Sequence, residues 1–168
     1  MTKSIKDAAE RQLDRVLSFF PRVEAKGSFL FALNTGLLAL LALNLSFDDF
    51  RVWFLVIPAI SVLLIISVSL YFLYRSSFPT LKGGTNSLIY FREIAKRTEA
   101  RFIDDFVAQA EDAHTRDLLG QVWRNSEILK MKYDALKIAF VLSALALIPW
   151  VIFLALAAVA HSGGLIFK

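Results

Sequence analysis

The chain has 168 residues, of which 57% are hydrophobic; its net charge is +4 and it has no cysteine. A mean hydropathy of +0.56 fits poorly with a soluble domain, whose apolar share is usually about 45–50%. The missing cysteines exclude disulfides, thiolate metal sites and cysteine nucleophiles. Lys and Arg are interleaved with Asp and Glu and form no basic run, so nucleic acid is not an expected partner.

The first 26 residues are polar, with six Lys and Arg among Asp7, Glu10, Asp14 and Glu24. They lack the early apolar core of a signal peptide. Ile5, Ala9, Leu13, Val16 and Phe20 recur at helical spacing, which predicts an amphipathic helix over Ser4–Phe20, ended or kinked at Pro21. That helix either packs on the rest of the protein or lies among lipid headgroups.

Three stretches without Asp, Glu, Lys or Arg follow: Gly27–Phe47, Val52–Tyr74 and Ile138–Phe167. Each reaches the roughly 20 apolar residues that cross a hydrocarbon core. The first carries a stripe of small residues, Ser28, Ala32 and Gly36, of the kind that lets helices approach closely in lipid. Asn34, near its middle, either makes an interhelical hydrogen bond or lines a pore. The short Ser46–Arg51 connection makes spans one and two an antiparallel hairpin. Tyr71, Phe72 and Tyr74 at one end of span two, and Trp53 and Phe54 at the other, suit the membrane interfaces.

Pro79 and Gly83–Gly84 break the chain after span two. A first helix is expected along Leu88, Phe91, Ala95, Phe102, Phe106, Ala110 and Ala113, capped by Asn86 or Ser87. A second starts at Thr115 and presents Leu119, Val122, Ser126, Leu129, Tyr133, Leu136 and Phe140. It continues into span three as one helix about 65 Å long from Arg116 to Ala160. Pro149 should kink it in mid-membrane, and Gly163–Gly164 should loosen its far end.

The expected fold is therefore all-α. It comprises an N-terminal amphipathic helix (1–26), a transmembrane hairpin (27–74, spans 27–47 and 52–74), a cytoplasmic helical region forming a hairpin (75–137), a third span (138–160) and a short tail (161–168). Six Lys and Arg precede span one and eleven lie in 75–137, against one in the 48–51 turn and one in the tail. The positive-inside rule puts the N-terminus and residues 75–137 in the cytoplasm and the C-terminus outside.

No catalytic constellation is expected. His114 and His161 have no second His or Cys nearby, so no metal or bound cofactor is expected either. Gly83–Gly84 lacks the spacing of a phosphate loop. Asp104–Asp105 and Glu111–Asp112 are adjacent on helices and diverge by roughly 100°. A mixture of rings and cations stands out: Tyr90, Arg92, Lys96 and Arg97, then Trp123 and Arg124. These residues either surround an anionic, ring-bearing ligand or divide between core and solvated surface.

Glu24-Ala25-Lys26 ahead of the span with Asn34, Ser87-Leu-Ile-Tyr-Phe-Arg-Glu-Ile-Ala95, Asp117-Leu-Leu-Gly-Gln-Val-Trp123 and Ile128-Leu-Lys-Met-Lys-Tyr133 resemble the Pycsar transmembrane effector family (PycTM). The likeness covers roughly residues 20 to 160 and rests on the order and placement of these segments. The helical arrangement is also similar to SLATT-type membrane effectors. The resemblance implies an antiphage defence effector of the bacterial inner membrane. It would answer a cyclic pyrimidine mononucleotide, cUMP or cCMP, made by a partner cyclase. By damaging the membrane, it would cause abortive infection. No β-rich segment is large enough for a conventional cyclic-nucleotide-binding roll, so a ligand would bind the helical insert, at a subunit interface. Three spans cannot enclose a wide pore, which implies a homo-oligomer. A constitutive holin-like pore or toxin, and a non-pore membrane scaffold, are the alternative functions.

Overall fold

A computed structural model describes residues 2–46, 48–78 and 84–162. Pro79, Gly83 and Gly163–Gly164, which were expected to break or loosen the chain, lie outside these residues. Among the described residues the regular structure is entirely helical. The helices are α1 (Thr2–Leu17), α2 (Phe20–Asn44), α3 (Trp53–Ser77), α4 (Phe91–Ile94), α5 (Glu99–Val107) and α6 (Glu111–His161), with a 3₁₀ turn at Asp48–Arg51. Three helical stretches are long and apolar enough to cross a membrane: Ile5–Asn44, Trp53–Ser77 and Glu111–His161. The chain forms two compact units. One is Met1–Val23 with Pro79–Lys132, and the other is Glu24–Phe78 with Tyr133–Lys168.

In the spanning unit the buried positions recur in alternating steps of three and four. They are Leu30, Asn34, Leu37 and Leu41 on α2, and Leu55, Ala59, Val62, Ile66, Ser69, Leu73 and Ser76 on α3. On α6 they are Ala139, Ser143, Ala146, Phe153 and Ala157, with Trp150 partly buried. This is the seven-residue repeat of helices that pack knobs into holes. Leu37, Leu41, Leu55, Val62, Ile66, Ala146 and Phe153 share one core. The outward faces are equally apolar: Leu43, Ile57, Leu64 and Val151 are exposed. A surface like that suits lipid, which removes the hydrophobic incentive for helices to associate and leaves close packing and polar bonds to hold them.

In the polar unit, α1 buries Ala9 and Val16 and half-buries Leu13, as its pattern predicts, while Ile5 is exposed; Phe20, expected on the same helix, is half-buried as the first residue of α2. The helix ends at Leu17, and Pro21 falls in the first turn of α2, where a missing N–H costs least.

Three expectations about the insert are corrected. The helix expected along Leu88–Ala113 is broken into α4 and α5, and Phe91 and Phe106 are exposed. Thr98 supplies the break by capping α5, its hydroxyl accepting from the Arg101 N–H at 3.4 Å. The last helix starts at Glu111 and not at Thr115, whose hydroxyl donates back to the Glu111 carbonyl at 2.9 Å. Glu111 and Asp112 suit the positive end of the helix dipole. Finally, the inward face of α6 includes Leu136 as expected but elsewhere lies mostly one residue earlier. Leu118, Gln121 and Lys132 are buried, whereas Leu119 is 46% and Phe140 60% exposed. Gln121 and Lys132 occupy inward positions because each has a polar or aromatic partner: Ser87 for the amide, and the Phe20 ring, 5.8 Å away, for the ammonium.

Candidate functional site

The polar unit gathers its chemistry around the non-helical segment Asn86–Tyr90. Asn86 adopts φ 59°, a left-handed conformation that asparagine tolerates better than most residues. The buried Ser87 hydroxyl donates to Asp117 Oδ2 at 2.8 Å. It accepts from the backbone N–H groups of Ile89 and Tyr90 and from Gln121 Nε2. Asp117 Oδ2 also accepts from the Leu88 N–H at 2.9 Å. Two α6 side chains therefore fasten this segment from one side.

Arg97 fastens it from the other. Its Nη1 donates to the carbonyls of Glu93 (2.8 Å) and Ser87 (3.3 Å), and its Nη2 to the carbonyl of Asn86 (3.1 Å). Nε donates to Asp105 Oδ2 at 3.2 Å. The side chain is only 14% exposed. This guanidinium ties three backbone carbonyls together, a use that its planar five-donor geometry permits and a lysine could not match.

Arg124 is held more loosely. Its Nη2 lies 3.7 Å from Asp117 Oδ1, and its Nε is buried and makes no hydrogen bond. The guanidinium occupies space left by two missing side chains, since a Cβ on Gly84 would lie 2.6 Å from it and one on Gly120 3.1 Å. The Tyr90 hydroxyl is likewise buried and makes no hydrogen bond.

Beside Arg97 is a polar cleft of about 500 Å³ lined by Asn86, Glu93, Lys96, Arg97, Thr98, Arg101 and Asp105. Lys96, just past the end of α4, pairs with Glu93 three residues earlier. The Lys96 ammonium, together with the Asn86 N–H, holds the Glu93 carboxyl below its ordinary value. Of the residues expected to meet a ligand, Lys96 and Arg97 line this cleft, while Tyr90 and Arg124 belong to the surroundings of Asn86–Tyr90. Arg92 and Trp123 are exposed. Ser87, Asp117 and Gln121 were not among the expected site residues. Sequence carried a signal for them, because all three fall within the segments that carry the family resemblance.

The spanning unit holds a second polar centre. Asn34 Nδ2 donates to Ser69 Oγ at 3.0 Å. The Ser69 and Ser143 hydroxyls lie 3.0 Å apart, and each is within reach of the Ala139 carbonyl, at 3.0 and 2.9 Å. All three side chains are at most 2% exposed, so α2, α3 and α6 meet in one buried node. Ser28, Ala32 and Gly36 are exposed on the outward side of α2, and among the described residues nothing lies within 4 Å of a Cβ added at Gly36. Pro149 is half-buried within α6, and its neighbour Trp150 donates Nε1–H to the Leu37 carbonyl at 3.2 Å.

At the other end of the spans, Asp49 Oδ2 accepts the Ser46 N–H at 2.7 Å, and Oδ1 lies 3.2 Å from His161 Nε2. Burial works to raise the Asp49 pKa, but Ser46 and His161 together outweigh it and hold the carboxyl below its ordinary value.

No curated protein and no solved structure shows detectable similarity to the chain. Its residues 8–159 match the Pycsar effector protein domain, PycTM, and the chain, a membrane protein by its three spans, belongs to that family of antiphage defence effectors.

Proposed function

We propose that this effector is switched on by a cyclic pyrimidine mononucleotide, cUMP or cCMP, supplied by a partner cyclase. Once switched on, it assembles with further copies and breaches the bacterial inner membrane, ending the infected cell. It acts without catalysis. Its N-terminus and polar unit face the cytoplasm, where the nucleotide is made.

The reading is supported above all by the Asn86–Tyr90 segment. It is held between Arg97 and the α6 residues Asp117 and Gln121, yet two buried donors nearby, Tyr90 Oη in the segment and Nε of Arg124, which pairs with Asp117, make no hydrogen bond. Buried donors in this state cost roughly 1–3 kcal/mol each. A ligand offering acceptors to them would favour a different packing of the segment against α6. That is what population shift requires: a ligand with different affinity for two arrangements. The adjoining cleft, within the ~300–1,000 Å³ of small-molecule sites, offers Lys96 and Arg101 to the cyclic phosphate. Arg97 is committed to backbone carbonyls and positions the segment. Because α6 runs from Glu111 to His161, a change at Arg124 has a helical path to residues that span the membrane.

The test is dye release from liposomes carrying the full chain, with cUMP, cCMP, cAMP or no nucleotide. Release only with a cyclic pyrimidine, lost in Arg124→Ala with insertion intact, is the expected result. Release without nucleotide would establish a constitutive holin-like toxin. With insertion verified, no release under any condition would favour a membrane scaffold.

A further inference from the structure

The spanning unit carries a groove of about 580 Å³ on its outer surface, lined by Ala25, Lys26, Phe29 and Leu30 of α2 and by Tyr133, Leu136, Lys137 and Phe140 of α6. Its floor is buried Leu30 and Leu136, and its walls are the exposed rings of Phe29 and Phe140. Lys26 and Lys137 mark one end, beside Tyr133, whose ring lies 5.9 Å from the Lys26 ammonium. The groove is thus apolar along its length and cationic at a single end. That end coincides with the start of the charge-free stretch of α2 and of α6, where a bilayer changes from hydrocarbon to headgroup.

We infer that this groove binds an anionic phospholipid, with an acyl chain laid between Phe29 and Phe140 and the phosphate between Lys26 and Lys137. Charge selects this occupant over a second copy of the chain. Residues 27–47, 52–74 and 138–162 contain no Asp or Glu, so another copy could offer the two ammonium groups only the carboxylates that flank its own lysines, Glu24 and Asp134, and Glu24 is already engaged. Lys137 has no ion-pair partner among the described residues. A phospholipid phosphate supplies charge at the correct depth, and its chain fills the apolar remainder. The inference does not depend on nucleotide sensing, since the groove belongs entirely to the spanning unit.

The probe is native mass spectrometry of the full chain in detergent, titrated with phosphatidylglycerol or phosphatidylcholine. One phosphatidylglycerol should bind per chain, in preference to phosphatidylcholine. Lys26→Gln/Lys137→Gln should weaken it about thirtyfold, as expected for two interfacial charges. A control, Lys130→Gln, should leave it unchanged, with helicity by circular dichroism equal in all three proteins. Equal binding of the two lipids, or full retention by the double variant, would overturn the inference. So would efficient disulfide dimerisation of Phe140→Cys in phosphatidylglycerol liposomes, because the chain has no other cysteine and the groove would then be covered by a second copy.

Discussion

Replacing Arg97 by alanine should loosen the Asn86–Thr98 region without disturbing the spans. The side chain donates three bonds to the Asn86, Ser87 and Glu93 carbonyls. At ~1 kcal/mol net for each, these contribute about 3 kcal/mol. The Asp105 contact adds little, because that carboxylate is 42% exposed and a pair so open to solvent is worth ~0–1 kcal/mol. The total, about 3–4 kcal/mol, is a large part of what stabilises a small unit. Amide hydrogen exchange reads it locally, without requiring reversible unfolding of the whole protein. Protection of the Ile89, Tyr90, Glu93 and Ile94 amides should fall about a hundredfold or more, while amides of α3 keep theirs. Arg97→Lys should recover only a minor part, since an ammonium cannot reach three carbonyls at these angles. Unchanged protection in Arg97→Ala would refute the assignment of this residue to positioning. Loss of nucleotide response with protection intact would move it to direct ligand contact.

Ser69→Ala should destabilise the helix bundle by about 1–2 kcal/mol, measured by unfolding in mixed micelles, because it strips the Asn34 amide of its acceptor inside the spans. Ser143→Ala should cost less, its hydroxyl bonding the carbonyl four residues back on its own helix; an equal or larger cost would contradict the node as drawn. The lowered Asp49 pKa stabilises the protein at pH values above the ordinary 3.8 and ceases to do so as pH falls through the folded value. The stability gap between wild type and Asp49→Asn should therefore be full near neutrality and close on acidification below about 4; a gap independent of pH down to 2 would exclude this source. Gly36→Leu places its side chain outward, with nothing of the same chain within 4 Å of the added Cβ, so protomer stability should not fall. Any change should appear as altered oligomer size on cross-linking, and an unaltered oligomer would remove the Ser28–Ala32–Gly36 stripe from the assembly surface.

The three spans were legible because the signal for them is local: twenty uncharged residues in a row admit few readings. The same holds for α1, where apolar and charged residues segregate by face. The inward face of α6 was not legible. Counting apolar residues selects Leu119 and Phe140 over Gln121 and Lys132, and partners supplied from elsewhere in the chain, Ser87 and Phe20 among them, reverse that choice. Thr98, which caps α5, falls inside an apolar spacing that runs past it, so counting apolar residues alone gives no break there. For the candidate site, sequence found the cations and rings and not their duties. Arg97 and Arg124 look alike in a chain of letters, yet one is bound to backbone carbonyls and the other has a buried, unbonded Nε. Asp49 and His161, 112 residues apart, carry no mutual signal at all.

The repeat along α6 changes phase partway. Leu118, Gln121, Asn125, Ile128 and Lys132 keep steps of three and four, and so do Ser143, Ala146, Trp150, Phe153 and Ala157. Eleven residues separate Lys132 from Ser143, with Ala135, Leu136 and Ala139 all buried between them. A seven-residue repeat demands left-handed winding, whereas an eleven-residue one relaxes it. Coiling against neighbours is therefore slackest at 132–143, and the Ala139 carbonyl that receives Ser69 and Ser143 lies within that stretch. There, directional polar contacts take over from interdigitated side chains in fixing how far α6 is turned about its own axis.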